Sequence, residues 1–106
     1  MQQPFESSND LTDDGTPNGG YVEGVGLQIQ WQRGALVFDG ERHEPNGAFV
    51  ETVIAAAKQR IEHYQTTRYA CKENETAIEA LDNALTALRL RTADREHRGV
   101  EGTHQI

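Results

Sequence analysis

YACKENETAIEALDNALTALRLRTADREHRGVEGTH, residues 69–104, decides the fold. Within it Ile78, Leu81, Leu85 and Leu88 recur at three- and four-residue spacing, with Ala77 and Ala84 beside them. That period puts one apolar seam on one face of an α-helix. Asn74 stands where it can cap this helix or lie in its first turn, and Gly99 is a stop signal. Upstream, Val50, Ile54, Ala57, Ile61 and Tyr64 repeat the same spacing, widened by Phe49 and Val53. This predicts a first helix that starts behind Glu44-Pro45, with Asn46 as cap, and runs to about Gln65. Only TTRYA, residues 66–70, separates the two seams, so the helices are predicted to fold back as an antiparallel hairpin.

Working toward the N-terminus, VGLQIQWQ (25–32) alternates: Val25, Leu27, Ile29 and Trp31 against Gln28, Gln30 and Gln32. Period two is the mark of a half-buried strand. Arg33-Gly34 reads as a turn and Ala35 to Asp39 as a short returning strand, giving a β-hairpin that needs something to pack on. Residues 1–20 are polar and acidic, with Gly, Ser, Asn and Pro prominent, and are expected to form a flexible, disordered tail. The predicted class is therefore α+β: a short N-terminal β-hairpin followed by an antiparallel two-helix hairpin. Residues 21–106 are expected as one domain, with a β-ribbon at 21–44 and the helical hairpin with its terminal segment at 45–106.

A chain of 106 residues, 36% apolar and of mean hydropathy −0.72, has little interior of its own. Oligomerisation is one way to bury more. The net charge of −7 argues against polymeric nucleic acid and against anionic membrane surfaces as partners. The single Cys71 allows no intrachain disulfide and suits a reducing compartment. No apolar run approaches the roughly 20 residues of a membrane span, and no basic-then-apolar leader is present. These features lead to the expectation of a soluble, intracellular protein.

Against this acidic background, RLRTADREHR (89–98) holds Arg89, Arg91, Arg95 and Arg98, four of the ten Lys and Arg residues. Arg91 and Arg95 stand one helical turn apart and share a face. Two guanidiniums so placed can hold a phosphate or diphosphate; they can equally be a solvated helix end that favours the dipole. Arg89, next to the seam residue Leu88, is read as outward-facing, and Arg98 as near enough to reach a ligand. Gly99 and Gly102 flank Val100-Glu101 before Thr103, and backbone N–H groups beside glycine can approach a phosphate closely, although such a segment is also an ordinary turn. Tyr64 and Tyr69 flank the bend, where an aromatic face can stack on a base or simply staple the hairpin. Asn74 can read a base edge or ribose, or serve as a cap. His43, His63, His97 and His104 show no metal-ligand spacing, Cys71 has no CxxC partner, and no nucleophile or phosphate-loop motif is present. The chain reads as a non-enzyme without cofactor or metal.

The AxxEN-like turn around Cys71-Lys72-Glu73-Asn74, the Ala77-Ile78 to Leu88 seam and RTADREHRGVEGTH together resemble the C-terminal hairpin of bacteriophage signal-sponge proteins. These are the Thoeris anti-defence family and its relatives among the anti-CBASS cyclic-oligonucleotide sponges. EPNGAFVETVIAAAKQRIEHYQ resembles their preceding helix, so the likeness covers about residues 24–104. It implies a phage protein in the cytoplasm of the bacterial host. That protein binds cyclic nucleotide immune signals without cleaving them: glycocyclic ADP-ribose, and in some relatives cyclic di- or trinucleotides at a separate site. By matching position, the resemblance implies Tyr64 stacking on adenine, where relatives often have Phe, and Asn74 as a polar contact. It further implies Arg91 and Arg95 on the phosphates, with Arg98, Gly99, Val100, Gly102 and Thr103 lining the pocket. Such pockets lie between protomers, which implies a homodimer that can assemble further into a hexamer. A competing reading, from a different class, is a helical-hairpin module that binds another protein through its seam and has no nucleotide ligand.

Overall fold

The computed structural model describes all residues from Met1 to Ile106. The order of elements is β1 (Phe5–Leu11), β2 (Pro17–Gly24), β3 (Leu27–Gln30), β4 (Val37–Phe38), β5 (Glu41–Arg42), α1 (Val50–Tyr64) and α2 (Lys72–His97). This is an α+β chain with its strands before its helices. It divides into two compact units: a β unit of Met1–Phe49 with Val100–Ile106, and a helical unit of Val50–Gly99.

In the β unit, β1, β2 and β3 form an antiparallel sheet in chain order. The expectation of a disordered tail at 1–20 is therefore corrected: these residues hold β1, the first turn and the start of β2. Their composition hid them because most side chains of β1 are exposed and the half-buried ones, Ser8 and Asp10, are polar, so no apolar alternation marks it. The strand is defined by backbone hydrogen bonding, which any composition can supply. Its turn is built from short polar side chains. Thr12 N–H donates to Thr16 O (2.9 Å), Gly15 N–H to Thr12 O (3.0 Å), and the Thr12 hydroxyl to the Asp14 carboxylate. Hydrogen bonds from Thr12 first, and then from Thr16, hold the Asp14 carboxyl below its ordinary value. At Gly20, φ is +133° and a Cβ would come within 2.1 Å of Ser8 O, so β1 and β2 pair there only because the residue is glycine.

The predicted hairpin of 25–32 with 35–39 is also corrected. β3 pairs with β2, and its continuation bonds elsewhere: Trp31 N–H to Gly20 O (3.0 Å), Gln32 N–H to Ala48 O (3.0 Å), and Ala48 N–H to Gln30 O (2.7 Å). Arg33 cannot turn back because Asn46 clamps it. Its N–H donates to Asn46 Oδ1 (2.8 Å), while Asn46 Nδ2 donates to its carbonyl (2.9 Å). Asn46 is thus a loop clamp and not the cap of α1, which begins at Val50. Val37 and Phe38 pair instead with Arg42 and Glu41 across an Asp39-Gly40 turn, both residues at positive φ. The terminal segment closes on this small ribbon. Val37 N–H donates to Gly102 O (2.8 Å), and Arg42 grips Glu101 with both terminal nitrogens, at 2.7 and 2.8 Å.

In the helical unit, α1 and α2 form the expected antiparallel hairpin, and Lys58 bridges them to Asp82 at 2.6 Å. The bond from Asp82 raises the Lys58 pKa. The bend is organised by Gln65. Its Nε2 donates to Cys71 O (3.1 Å), and its Oε1 accepts from Cys71 N–H (3.0 Å) and Asn74 Nδ2 (2.9 Å). Gln65 therefore fastens the end of α1 to the residue that precedes α2 and to Asn74 in its first turn, while Cys71 at the cap position makes no side-chain cap bond. The far end of α2 closes at Gly99, with φ +73° and its N–H on Glu96 O (3.0 Å). α1 buries no residue and α2 buries only Leu85. Ile54, Ile61, Ile78, Leu81 and Leu88 are covered only in part.

Candidate functional site

The predicted ligand residues fall into three groups. Tyr64 and Asn74 stand at the bend of the helical unit. Tyr64 closes α1 and is 40% exposed, with the Arg60 guanidinium 5.2 Å from its ring centroid. Both donors of Asn74 are engaged, on Gln65 Oε1 and on Tyr69 O (3.3 Å). Asn74 thus lies in the first turn of α2 and keeps its own Oδ1 as the group left to meet a ligand.

Arg91, Arg95, Arg98 and Gly99 mark the opposite end of the same unit. Arg91 is exposed and Arg95 half-buried, one turn further along the helix. Arg98 donates from Nε to Asp94 Oδ2 at 3.0 Å, which partly neutralises it. From Asn74 to Arg91 the helix rises about 26 Å at 1.5 Å per residue. One copy of the hairpin therefore does not bring the bend residues and the arginines onto one small ligand.

Val100, Gly102 and Thr103 belong to the β unit. Val100 is buried at 9% exposure, the Gly102 carbonyl is taken by Val37, and the Thr103 hydroxyl bonds back to Val100 O (2.5 Å). These residues form a folded turn, as the plainer sequence reading allowed.

Sequence reasoning missed the cations that accompany the aromatics at the bend. Arg68 lies 5.0 Å from the Tyr69 ring centroid, and its Nη2 bonds the Tyr69 hydroxyl at 2.9 Å. With Arg60 over Tyr64, the bend carries two cation–π pairs. The four-residue spacing of Arg60 and Tyr64 on one helix was the available signal. No cluster of His, Cys, Asp and Glu in the chain could hold a metal ion, and no helix is long and apolar enough to cross a membrane.

The chain is 46% identical over 63 residues to Thoeris anti-defense 1 of Bacillus phage SBSphiJ7. The aligned stretch is 59% of this chain and 44% of that relative, so the chain spans less than half the length of the protein it matches. No family model matches.

Proposed function

We propose that the chain is a phage anti-defence protein that binds and sequesters a cyclic nucleotide immune signal without cleaving it. Glycocyclic ADP-ribose is the first candidate, with cyclic di- and trinucleotides as additional ligands. The observation that carries this reading is the placement of two complementary chemistries at opposite ends of one helical hairpin. An aromatic ring and an amide stand at the bend, and an arginine pair stands about 26 Å away. A second copy running antiparallel would set the bend of one hairpin beside the arginines of the other, giving two equivalent sites per dimer. Tyr64 would then stack on a base, Asn74 offer Oδ1 to a base or ribose donor, and Arg91 and Arg95 hold phosphate oxygens. Holding a ligand in this way needs no acid–base residue.

The surface area supports a second copy. The chain exposes 8227 Å². A compact protein of this mass would expose about 5,900 Å², and even two separate compact bodies of half the mass only about 7,100 Å². With Leu85 alone buried in the helical seam, a partner laid on that seam would cover its half-exposed apolar residues.

Calorimetry with glycocyclic ADP-ribose tests the proposal, followed by heat denaturation and mass spectrometry of the released ligand. Intact ligand is expected; a hydrolysed product overturns sequestration. The same uncovered seam favours one other reading, an interaction module for a different protein. That reading predicts no nucleotide affinity and a stable heteromer.

A further inference from the structure

The β unit contains a cavity of about 540 Å³ that takes no part in the site proposed above. Its size is that of a small-molecule site. Gly34, Phe38, His43, Glu44, Asn46 and His104 are among the residues that line it. Phe38 and His43 are stacked rings, with centroids 3.6 Å apart and planes 9° from parallel. Phe38 nevertheless remains 49% exposed, an apolar ring left without full cover. The rim is held in advance. Asn46 clamps Arg33 from both sides, and Gln32 Oε1 accepts the Asn46 N–H at 2.9 Å. A pre-organised rim lowers the ordering cost of binding.

The polar groups available in the cavity select the ligand. His43 Nε2 lies 3.2 Å from Phe38 O. A carbonyl only accepts, so Nε2 carries the proton and Nδ1 of the neutral ring is left as an acceptor. Neither the Glu44 carboxylate nor the His104 ring has a hydrogen-bond partner in the chain. Arg33, the one guanidinium at the rim, is held by Asp10 at 2.6 Å. The cavity thus offers acceptors and a stacking face, and no uncommitted cation for a phosphate.

We propose that this cavity binds a neutral, amino-bearing heteroaromatic ring, a nucleobase or nucleoside in size. The ring stacks on Phe38, and its N–H edge meets Glu44 and the imidazole acceptor. The inference is independent of the cyclic-nucleotide site on the helical unit.

Adenosine titrated into the ¹⁵N-labelled full chain, followed by amide chemical shifts, tests it. Saturable shifts are expected around Gly34 to Glu44 and at His104, with Tyr64 and Asn74 unmoved. Phe38→Ala should weaken binding about tenfold or more, from the loss of base stacking. Phe38→Trp keeps an aromatic face and should retain binding, which separates loss of stacking from loss of fold. Adenosine 5′-monophosphate should bind more weakly than adenosine, and the double variant Arg91→Ala/Arg95→Ala should leave adenosine affinity unchanged. Absence of saturable shifts overturns the proposal. So does tighter binding of the monophosphate, which would make the cavity an anion site, and so do shifts confined to the helical bend.

Discussion

Replacing Gln65 by Ala removes the three hydrogen bonds that join the end of α1 to the start of α2: Nε2 to Cys71 O, Cys71 N–H to Oε1, and Asn74 Nδ2 to Oε1. Each such bond is worth about 0.5–1.5 kcal/mol net. Gln65 is half-buried and the groups left behind can reach water, so the lower half of that range applies. The expected loss from the three bonds together is about 1.5–3 kcal/mol. In a small domain, that corresponds to roughly 6–24 °C in Tm. Chemical denaturation followed by helical circular dichroism measures it. Gln65→Glu supplies an internal control, because it keeps the acceptor for Cys71 N–H and Asn74 while losing the donor to Cys71 O. It should cost less than the alanine variant. A Gln65→Ala loss below about 0.3 kcal/mol, within the scatter of ordinary surface substitutions, would refute the argument that Gln65 fastens α1 to the start of α2.

Arg91→Ala and Arg95→Ala should each weaken binding of glycocyclic ADP-ribose by about 1.5–3 kcal/mol, while Arg89→Ala leaves calorimetric affinity unchanged; unaltered affinity in both of the first two discards the proposed phosphate contacts. Asp14 has its pKa lowered in the folded turn, so its contribution to stability is present above the ordinary carboxylate value. That contribution is lost as pH falls through the depressed one. Acid titration followed by amide signals of the β1–β2 turn should therefore show loosening below about pH 4, and Asp14→Asn should remove that dependence. Gly20→Ala places a Cβ against Ser8 O and forces β1 from β2; it should destabilise the β unit by more than about 1 kcal/mol, read as loss of amide exchange protection in both strands.

The helical unit was legible because its seams are local and periodic. Ile54, Ile61, Ile78, Leu81 and Leu88 repeat on the spacing that the folded hairpin uses, and Gly99 stops α2 as a left-handed glycine should. Of the β unit, the strand within residues 25–32 was legible and forms β3, but most of the rest was not, for two physical reasons. β1 has no apolar face to announce it, and the partners of each segment lie far along the chain. Asn46 reads as a cap when only its neighbours are considered, but its side chain is satisfied by Arg33, thirteen residues back. Arg42 and Glu101, 59 residues apart, carry no mutual mark in the sequence. The arginine pair at 91 and 95 was visible from spacing and charge. The cation–π pairs at the bend needed side-chain geometry, and the Phe38–His43 stack needed the β4–β5 turn that brings those rings together.

The return of residues 100–106 to the β unit makes the helical hairpin an insertion. The chain leaves the β unit at Val50 and re-enters it after Gly99, where the Arg42–Glu101 and Val37–Gly102 bonds fasten it. Topologically the hairpin is a closed loop with no free end. Fraying of α2 must work against a segment anchored beyond it, and the closure entropy of the whole insertion is met once, by the β unit.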